Sequence, residues 1–143
     1  MPREIGLVSC TKSKLDEPAR PRDLYEPSAL FRKAREYCET THDDWYILSA
    51  KHGLLKPDGP QIEPYDETLT TASVATRREW AADVAEELQE EGLLKEDIEL
   101  YIHAGKAYYE ELLPHLEETA VAVSIPTKGL MMGETLAWYN DHL

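Results

Sequence analysis

The chain has 143 residues, 42% of them hydrophobic, which predicts one globular domain over residues 1–143 and excludes a disordered protein. No apolar run approaches the roughly 20 residues of a membrane-spanning helix, so no membrane association is expected. The net charge of −13, from 28 acidic and 15 basic residues, makes duplex DNA an unexpected partner, because sequence-independent binding needs a basic face.

The acidity has two readings, an ordinary solvated surface or the surface of a protein from a halophilic source. The N-terminal stretch "MPREIGLVSC" places Glu4 ahead of a short apolar run, unlike a secretory signal, so a cytoplasmic location is expected. Cys10 and Cys38 are too few for a disulfide framework, and no CxxC motif is present. A zinc site is therefore not expected, and the sequence predicts no cofactor.

Short apolar, β-prone runs alternate along the chain with helical patterns. The runs predicted to be strands are Ile5–Ser9, Trp45–Ala50, Ile98–His103 and Ala120–Ile125. This alternation predicts the α/β class, as a single three-layer α/β/α domain with a four-stranded, mainly parallel sheet. With strands numbered along the chain, the expected order is 2-1-3-4.

Helices are predicted between and after these strands. Ser28 and Ser73 are expected N-caps, and Gly92 is expected to end the second helix. Helical spacing places Leu30, Ala34 and Cys38 on the first helix, Trp80, Val84 and Leu88 on the second, and Tyr108, Leu112 and Leu116 on a third, with "GETLAWYNDHL" as a terminal helix. The segment Lys56–Ala72 is a long irregular connection, and such loops are usually functional or mobile.

Ligands of open parallel sheets bind at the carboxyl ends of the strands. Here those ends carry small, hydroxylic or cationic residues and no carboxylate. In chain order they are Ser9, Cys10, Thr11, Lys12, Ser13 and Lys14; Ser49, Lys51, His52 and Gly53; His103, Gly105 and Lys106; and Ser124, Thr127, Lys128 and Gly129. We expect them to converge on a locally positive rim that binds a small anionic ligand such as a phosphate.

The stretch "SCTKSK" has the composition of a phosphate cradle, with hydroxyls and two lysines, but it lacks the glycines of a Walker or dinucleotide motif. An ordinary polar turn with solvated lysines is the alternative. Cys10 is either a nucleophile activated by Lys12 or Lys14 or a small buried side chain.

In "SAKHG", His52 either exchanges a proton with a substrate oxygen or lies by chance in a turn where Gly53 is left-handed. His103 is either a ligand-binding residue or a satisfied histidine at the end of a strand. In "PYDETL", Tyr65 offers a stacking face and Asp66 a candidate general base, the alternative being an acidic turn at a helix entry. Methionines in "PTKGLMMGETLAW" would line a base-sized slot or pack in the core.

The stretches "LVSCTKSK", "LYEPSALFRKAREY", "WYILSAKHGLL", "PYDETL" and "GLMMGETLAWYNDHL" resemble a family of small uncharacterised proteins of archaea and bacteria. The chain is also distantly similar to YaaA-type peroxide-stress proteins and to the lyase or glycosylase-like domain associated with archaeosine synthesis. These resemblances imply a uracil-DNA-glycosylase-like α/β fold and a ligand related to a nucleobase or nucleotide. The glycosylase motif Gly-Gln-Asp-Pro-Tyr is absent from "SCTKSKLDEP".

Together these patterns predict an enzyme that acts on a nucleotide or nucleobase, by hydrolysis or base transfer at an N-glycosidic bond. Ser9, Thr11, Lys12 and Lys14 would hold phosphate, Lys51 and His52 would polarise the base or sugar, and Asp66 would position water. The alternative is a module that binds a nucleotide or single-stranded nucleic acid without chemistry, with Tyr25, Tyr65, Tyr108 and Trp138 as stacking surfaces. The sequence does not specify the oligomeric state.

Overall fold

The computed structural model describes residues 2–143, whose strands form one five-stranded sheet. The strands are β1 (Arg3–Ser9), β2 (Asp44–Ser49), β3 (Gly53–Leu55), β4 (Ile98–His103) and β5 (Ala122–Ser124), in the order β3-β2-β1-β4-β5. All neighbours are parallel except β2 and β3. The α/β class with a mainly parallel sheet is confirmed. The predicted four-stranded sheet of order 2-1-3-4 is replaced by five strands, because β3 adds an antiparallel edge beside β2.

Strand β3 exists because the chain reverses direction within "SAKHG". Gly53 has a φ of +72°, a left-handed conformation that costs glycine little and other residues roughly 1–2 kcal/mol. This turn pairs Ser49 with Gly53 and Ile47 with Leu55. A Cβ on Gly53 would also meet the Glu87 carboxylate, but that group ends a flexible side chain and can move, so the left-handed conformation is what requires the glycine.

The helices are α1 (Pro21–Leu24), α2 (Ala29–Thr41), α3 (Val74–Glu90), α4 (Lys106–Tyr109), α5 (Leu113–Glu117) and α6 (Met132–His142). Both predicted caps are confirmed, since the Phe31 amide donates to Ser28 and the Thr76 amide donates to Ser73. Gly92, with a φ of +73°, follows the end of α3 as predicted. None of the helices in residues 2–143 is long and apolar enough to span a membrane.

The predicted third helix, in which Pro114 was expected to be a local irregularity, is not continuous but divided into α4 and α5. Pro114 lies in the first turn of α5, where its missing N–H is tolerated. A continuous helix would place Pro114 in its interior, where its ring would clash with the carbonyl of Glu110. Residues 110–112 therefore form a turn between the two short helices.

Helices cover both faces of the sheet. Successive residues of β1, from Ile5 to Val8, are buried whichever face they point to. Helices α2 and α6 pack against each other and α2 lies on β1 and β2, whereas α3 packs on β3, α4 and α5. This arrangement leaves the carboxyl ends of the parallel strands as the open edge where a ligand can enter.

Candidate functional site

The strand order reverses at β1, and this reversal positions the candidate site. From β1 the chain first adds β2 on one side and later adds β4 on the other. The two connections leave in opposite directions, which opens a crevice at the carboxyl ends of β1 and β4. In open α/β sheets such a topological switch point is where ligands bind.

A cavity of about 180 Å³ lies at this point, and we name it the switch-point cavity. Of the described residues that line it, none is an aspartate, glutamate, lysine or arginine. Its polar lining consists of Ser9, Thr11, His103, Thr127, Thr135 and Tyr139, and its apolar lining of Val8, Leu30, Phe31, Ala34, Ala104, Leu130 and Met132, with Gly105 at the start of α4. The cavity is therefore uncharged and offers hydroxyl and imidazole groups between apolar walls.

Beneath this cavity lies a set of polar side chains that we name the histidine cluster: Cys38, His42, His103 and Tyr139, which are buried, and Glu4, which is partly exposed. Nε2 of His42 and Nε2 of His103 are 3.0 Å apart. The Nδ1 atom of His42 lies 2.9 Å from Glu4 Oε1, and the Nδ1 atom of His103 lies 2.9 Å from the Tyr139 hydroxyl. Both imidazoles therefore have a partner at each ring nitrogen.

With both imidazoles neutral, only one arrangement of protons satisfies this chain. A carboxylate only accepts, so His42 Nδ1–H donates to Glu4. The unprotonated His42 Nε2 then accepts from His103 Nε2–H, and His103 Nδ1 accepts from the Tyr139 hydroxyl. Burial, with His42 as a smaller cause, lowers the pKa of His103 to about 3, which keeps this imidazole neutral.

On the β2 side of β1 a second buried set forms what we name the tyrosine cluster: Cys10, Tyr25, Ser49, Tyr65 and Tyr108. The Tyr65 hydroxyl lies 2.6 Å from the Tyr25 hydroxyl and 2.7 Å from Ser49 Oγ. Ser49 Oγ also accepts the amide N–H of His52, at 3.0 Å. Cys10 Sγ lies 3.4 Å from the Tyr108 hydroxyl and accepts from the Ala50 amide. Tyr65 thereby fixes the long connection after β3 to the end of β2.

Burial is the main cause of the raised pKa of Tyr25 and Tyr65, and it raises the pKa of Tyr108 to about 12. These phenols therefore act as neutral hydrogen-bonding groups. Cys10, interpreted from the sequence as either a nucleophile or a small buried side chain, is buried in the structure, with 6% of the residue exposed.

Lys14 provides the cation at this cluster. Its Nζ lies 4.5 Å from the centroid of the Tyr65 ring and 5.9 Å from that of Tyr25, a cation–π arrangement. Desolvation lowers the pKa of Lys14, while charges that include Asp66 and Glu67 act in the opposite direction. The ammonium is thus positioned over two aromatic rings and is influenced by the charge of these carboxylates.

The sequence-predicted site residues divide into groups rather than lining one pocket. Ser9, Thr11, His103 and Gly105 line the switch-point cavity. Cys10, Ser49, Tyr65 and Lys14 meet at the tyrosine cluster. Lys51, His52 and Gly53 line a different depression beside α3, and Lys128 lines another with α5 residues. Lys12, Asp66 and Gly129 are exposed, and Gly129 has a φ of +80°.

His52 remains connected to the tyrosine cluster although it is exposed. Its ring meets the Tyr65 ring edge to face, with centroids 5.4 Å apart. Partial burial, and then the charge of Lys51, lower the pKa of His52. The imidazole is therefore disposed towards its neutral form, which can accept a proton.

Sequence reasoning missed Cys38, His42 and Tyr139 as members of a polar site. One signal was available: Cys38 lies on the predicted helical face, and His42, four residues on, is the C-cap of α2, so the end of the helix brings the two residues together. Helical spacing could not reveal that this face meets His103, since that contact depends on the packing of α2 against the sheet. The absence of a CxxC motif does not bear on a cysteine and a histidine that are four residues apart, such as Cys38 and His42.

The fold and the two clusters define an α/β protein with a built polar site at its switch point. The chain belongs to a family of unknown function, DUF6884, whose model matches residues 5–141. It is also similar to the uncharacterized protein YfjM of Bacillus subtilis (strain 168), with 30% identity over 117 residues, covering 78% of this chain and 75% of that protein. No solved structure matches the chain, so a uracil-DNA-glycosylase-like fold stays a prediction.

Proposed function

We propose that this chain binds the base of a nucleotide-class ligand in the switch-point cavity and acts on its N-glycosidic bond. The observation that carries the proposal is an uncharged cavity with hydroxyl and imidazole groups at the reversal of strand order. A nucleobase is a flat neutral ring with hydrogen-bonding edges, which such a lining complements.

The size of the cavity supports a base rather than a whole nucleotide. Pockets for drug-sized ligands span roughly 300–1,000 Å³. The switch-point cavity has about 180 Å³, so it suits one ring system while the sugar and phosphate remain outside. Leu130 and Met132, from the stretch predicted to form a base-sized slot, are part of its wall.

The phosphate would lie over the loop that follows β1. Thr11 reaches the cavity, and the lysines on either side of Ser13 supply positive charge. Lys14 is held in place by the tyrosine rings, whereas Lys12 is exposed. An anion at this loop would therefore meet one ammonium positioned by aromatic rings and one exposed ammonium.

Hydrolysis requires that the base leaves with the bonding electrons and takes up a proton, while water loses a proton and adds to the sugar carbon. We assign Asp66 to water activation, and Lys51 and His52 to the polarisation of the leaving base or sugar. The contact of His52 with Tyr65, and the charge of Asp66 near Lys14, support a location on the same side of the β1 end.

One observation favours the alternative, a module that binds without chemistry. Lys51 and His52 line a depression separate from the switch-point cavity. A ligand held by the cavity and by Lys14 would not need either residue. The tyrosine rings beneath Lys14 would in that case serve to position the cation.

Calorimetry against free bases, nucleosides and 5′-monophosphates, followed by chromatography of each mixture, separates the two functions. Product formation supports the enzyme, and His52→Ala and Asp66→Asn should then each lower turnover more than tenfold in a folded protein. Full turnover in both variants would overturn these two assignments. Binding without product supports the module.

A blocking variant tests the cavity itself. An added Cβ at Gly105 meets nothing within 4 Å, so Gly105→Phe should fold and narrow the cavity entrance. Gly133→Phe is the matched control, since Gly133 is equally unobstructed but does not line the cavity. We expect at least a tenfold loss of affinity in the first variant only. Equal affinity in both variants would show that the ligand binds elsewhere.

A further inference from the structure

Three potential metal ligands of the histidine cluster point their ligand atoms at one another. The Sγ atom of Cys38 and ring nitrogens of His42 and His103 all lie within 4.8 Å of one another. Each of these residues is buried, with 0%, 8% and 4% of its surface exposed, respectively. We propose that Cys38, His42 and His103 form a binding site for a divalent transition-metal ion of the zinc class.

The chemistry of the ligands selects this class of ion. Thiolate and imidazole are the ligands of Zn²⁺ and of related ions such as Co²⁺, whereas Mg²⁺ and Ca²⁺ prefer oxygen. Three protein ligands leave one position of a tetrahedral ion open for water or another small ligand. His103 also lines the switch-point cavity, so an ion on its Nε2 atom would lie beneath that cavity.

Groups that orient the two imidazoles are already in place. Metal-bound histidines usually donate their second ring N–H to a carboxylate or another oxygen acceptor. Glu4 has this role for His42, and the Tyr139 hydroxyl would take it for His103 when the proton of that ring moves to Nδ1; both oxygens lie 2.9 Å from Nδ1. These contacts direct both Nε2 atoms inward, towards the same point.

The distances require only small movements. Zn–N bonds of 2.0–2.1 Å and a Zn–S bond of 2.3 Å place tetrahedral ligand atoms about 3.4–3.6 Å apart. The two Nε2 atoms, now 3.0 Å apart, would separate by a few tenths of an ångström, and Sγ, which lies within 4.8 Å of the ring nitrogens, would approach by at most about 1.2 Å. Cys38 lies in the last turn of α2, and His42 is its C-cap and donates its amide N–H to the Cys38 carbonyl, which keeps the two residues together during this adjustment.

Gly6 of β1 leaves the space for the thiol. A Cβ at this position would lie 2.6 Å from Cys38 Sγ and 3.0 Å from His42 Cδ2. Gly6 is in an ordinary strand rather than a left-handed turn, so its backbone conformation does not require glycine. Glycine is required at this position because the side chains of Cys38 and His42 approach the strand so closely.

Charge and protons balance in the proposed complex. The ion and a Cys38 thiolate together carry one positive charge, which the Glu4 carboxylate offsets through His42. Burial raises the pKa of Cys38, so the thiol is protonated before the ion binds and must release that proton. His103 releases none, because its ring proton moves from Nε2 to Nδ1. The Nδ1–H group then donates a hydrogen bond to the Tyr139 hydroxyl. The balance is one proton released per ion.

The test begins with protein freed of metal by a chelator and titrated with Co²⁺ alone. We expect one ion per chain, a near-ultraviolet thiolate-to-cobalt absorption band, and displacement of cobalt by Zn²⁺. Calorimetry in two buffers of different ionisation enthalpy should give about one proton released per ion. Absence of the thiolate band, or of stoichiometric binding, would overturn the proposal and leave the histidines as a hydrogen-bonded pair.

Two variants and a matched control locate the ion. Cys38→Ser should abolish the thiolate band and weaken binding at least tenfold, and Glu4→Gln should weaken it about 10–100-fold through the orienting contact. Cys10→Ser is the control, since Cys10 is the other buried cysteine and is not in the histidine cluster. Circular dichroism verifies folding, and if Cys38→Ser unfolds, His103→Gln replaces it. An unchanged band in Cys38→Ser or His103→Gln would overturn the assignment. These results do not depend on the proposed nucleotide function.

Discussion

The tyrosine cluster includes Cys10, just after the carboxyl end of β1, whereas the histidine cluster includes Glu4 near its amino end, and the two polar networks are built differently. The tyrosine cluster attaches two tyrosines that lie outside helices and strands, Tyr25 and Tyr65, to Ser49 on β2. The histidine cluster joins residues of regular elements, with Glu4 on β1, His103 on β4 and Tyr139 on α6. One network attaches loops to the sheet, and the other lies between the sheet and its helices.

The difference also determines how each network responds to change. A hydroxyl rotates and can both donate and accept, so the tyrosine cluster can redistribute its hydrogen bonds. A neutral imidazole has one donor and one acceptor at fixed positions, so the histidine cluster has a single arrangement of protons. We therefore expect the histidine cluster to tolerate substitution less well.

The largest expected effect is that of His42→Leu, which removes the central member of the histidine chain. The partly exposed Glu4 loses its donor, and the buried His103 Nε2–H loses its acceptor where little water can replace it. Leaving such groups unpaired should lower the free energy of unfolding by about 3 kcal/mol. Urea denaturation in the presence of a chelator measures this loss without a contribution from metal.

His115→Leu is the control, because His115 lies in α5 outside the cluster. Its effect should stay within about 0.5 kcal/mol. If the two substitutions cost the same, the single proton arrangement of the histidine cluster contributes nothing to stability, and the contrast between the networks fails.

Tyr65→Phe should have a smaller effect, of about 2 kcal/mol, although it removes two hydrogen bonds. Ser49 keeps the His52 amide as a partner, so mainly the Tyr25 hydroxyl is left unpaired. Tyr25→Phe should cost about 1 kcal/mol, because Tyr65 retains Ser49.

The double variant sharpens this test. Combining Tyr65→Phe with Tyr25→Phe should cost no more than Tyr65→Phe alone, since no unpaired phenol remains. A strictly additive loss in urea denaturation would show that the hydroxyls do not interact as the structure indicates.

Local sequence signals predicted most of the regular structure. Ser28 and Ser73 cap their helices because a side-chain oxygen before a helical pattern satisfies a free amide, which depends only on neighbouring residues. Strand β3 was missed because it has only three residues, and because Lys51 and His52 before Gly53 were interpreted as functional residues and not as part of a hairpin turn. A glycine-containing turn followed by "LL" was the signal for a hairpin.

The candidate site was less predictable, because its members meet through packing. The rule that strand ends share one edge correctly brought Ser9, Thr11 and His103 to one cavity. The same rule does not say which side of that edge a side chain occupies, and His52 and Lys128 line other depressions. The contacts of Tyr25 and Tyr139 depend on where an irregular segment and the last helix pack, which no local pattern specifies.

The smallest expected effect concerns Lys14, the cation held against the tyrosine cluster. Because desolvation lowers its pKa, Lys14 should lose its proton at a lower pH in the folded protein than in the unfolded chain. Between those two values the unfolded chain binds more protons, so stability should rise with pH in that window, and Lys14→Met should remove this rise. An amine-acylating reagent followed by peptide mass spectrometry should label Lys14 from a lower pH in native protein than in urea, with exposed Lys12 as the internal reference. Identical pH profiles of Lys14 labelling with and without urea would mean that the tyrosine rings do not desolvate the ammonium. The tyrosine cluster would then only attach loops to the sheet, and a residue other than Lys14 would have to supply a positioned positive charge at the strand ends.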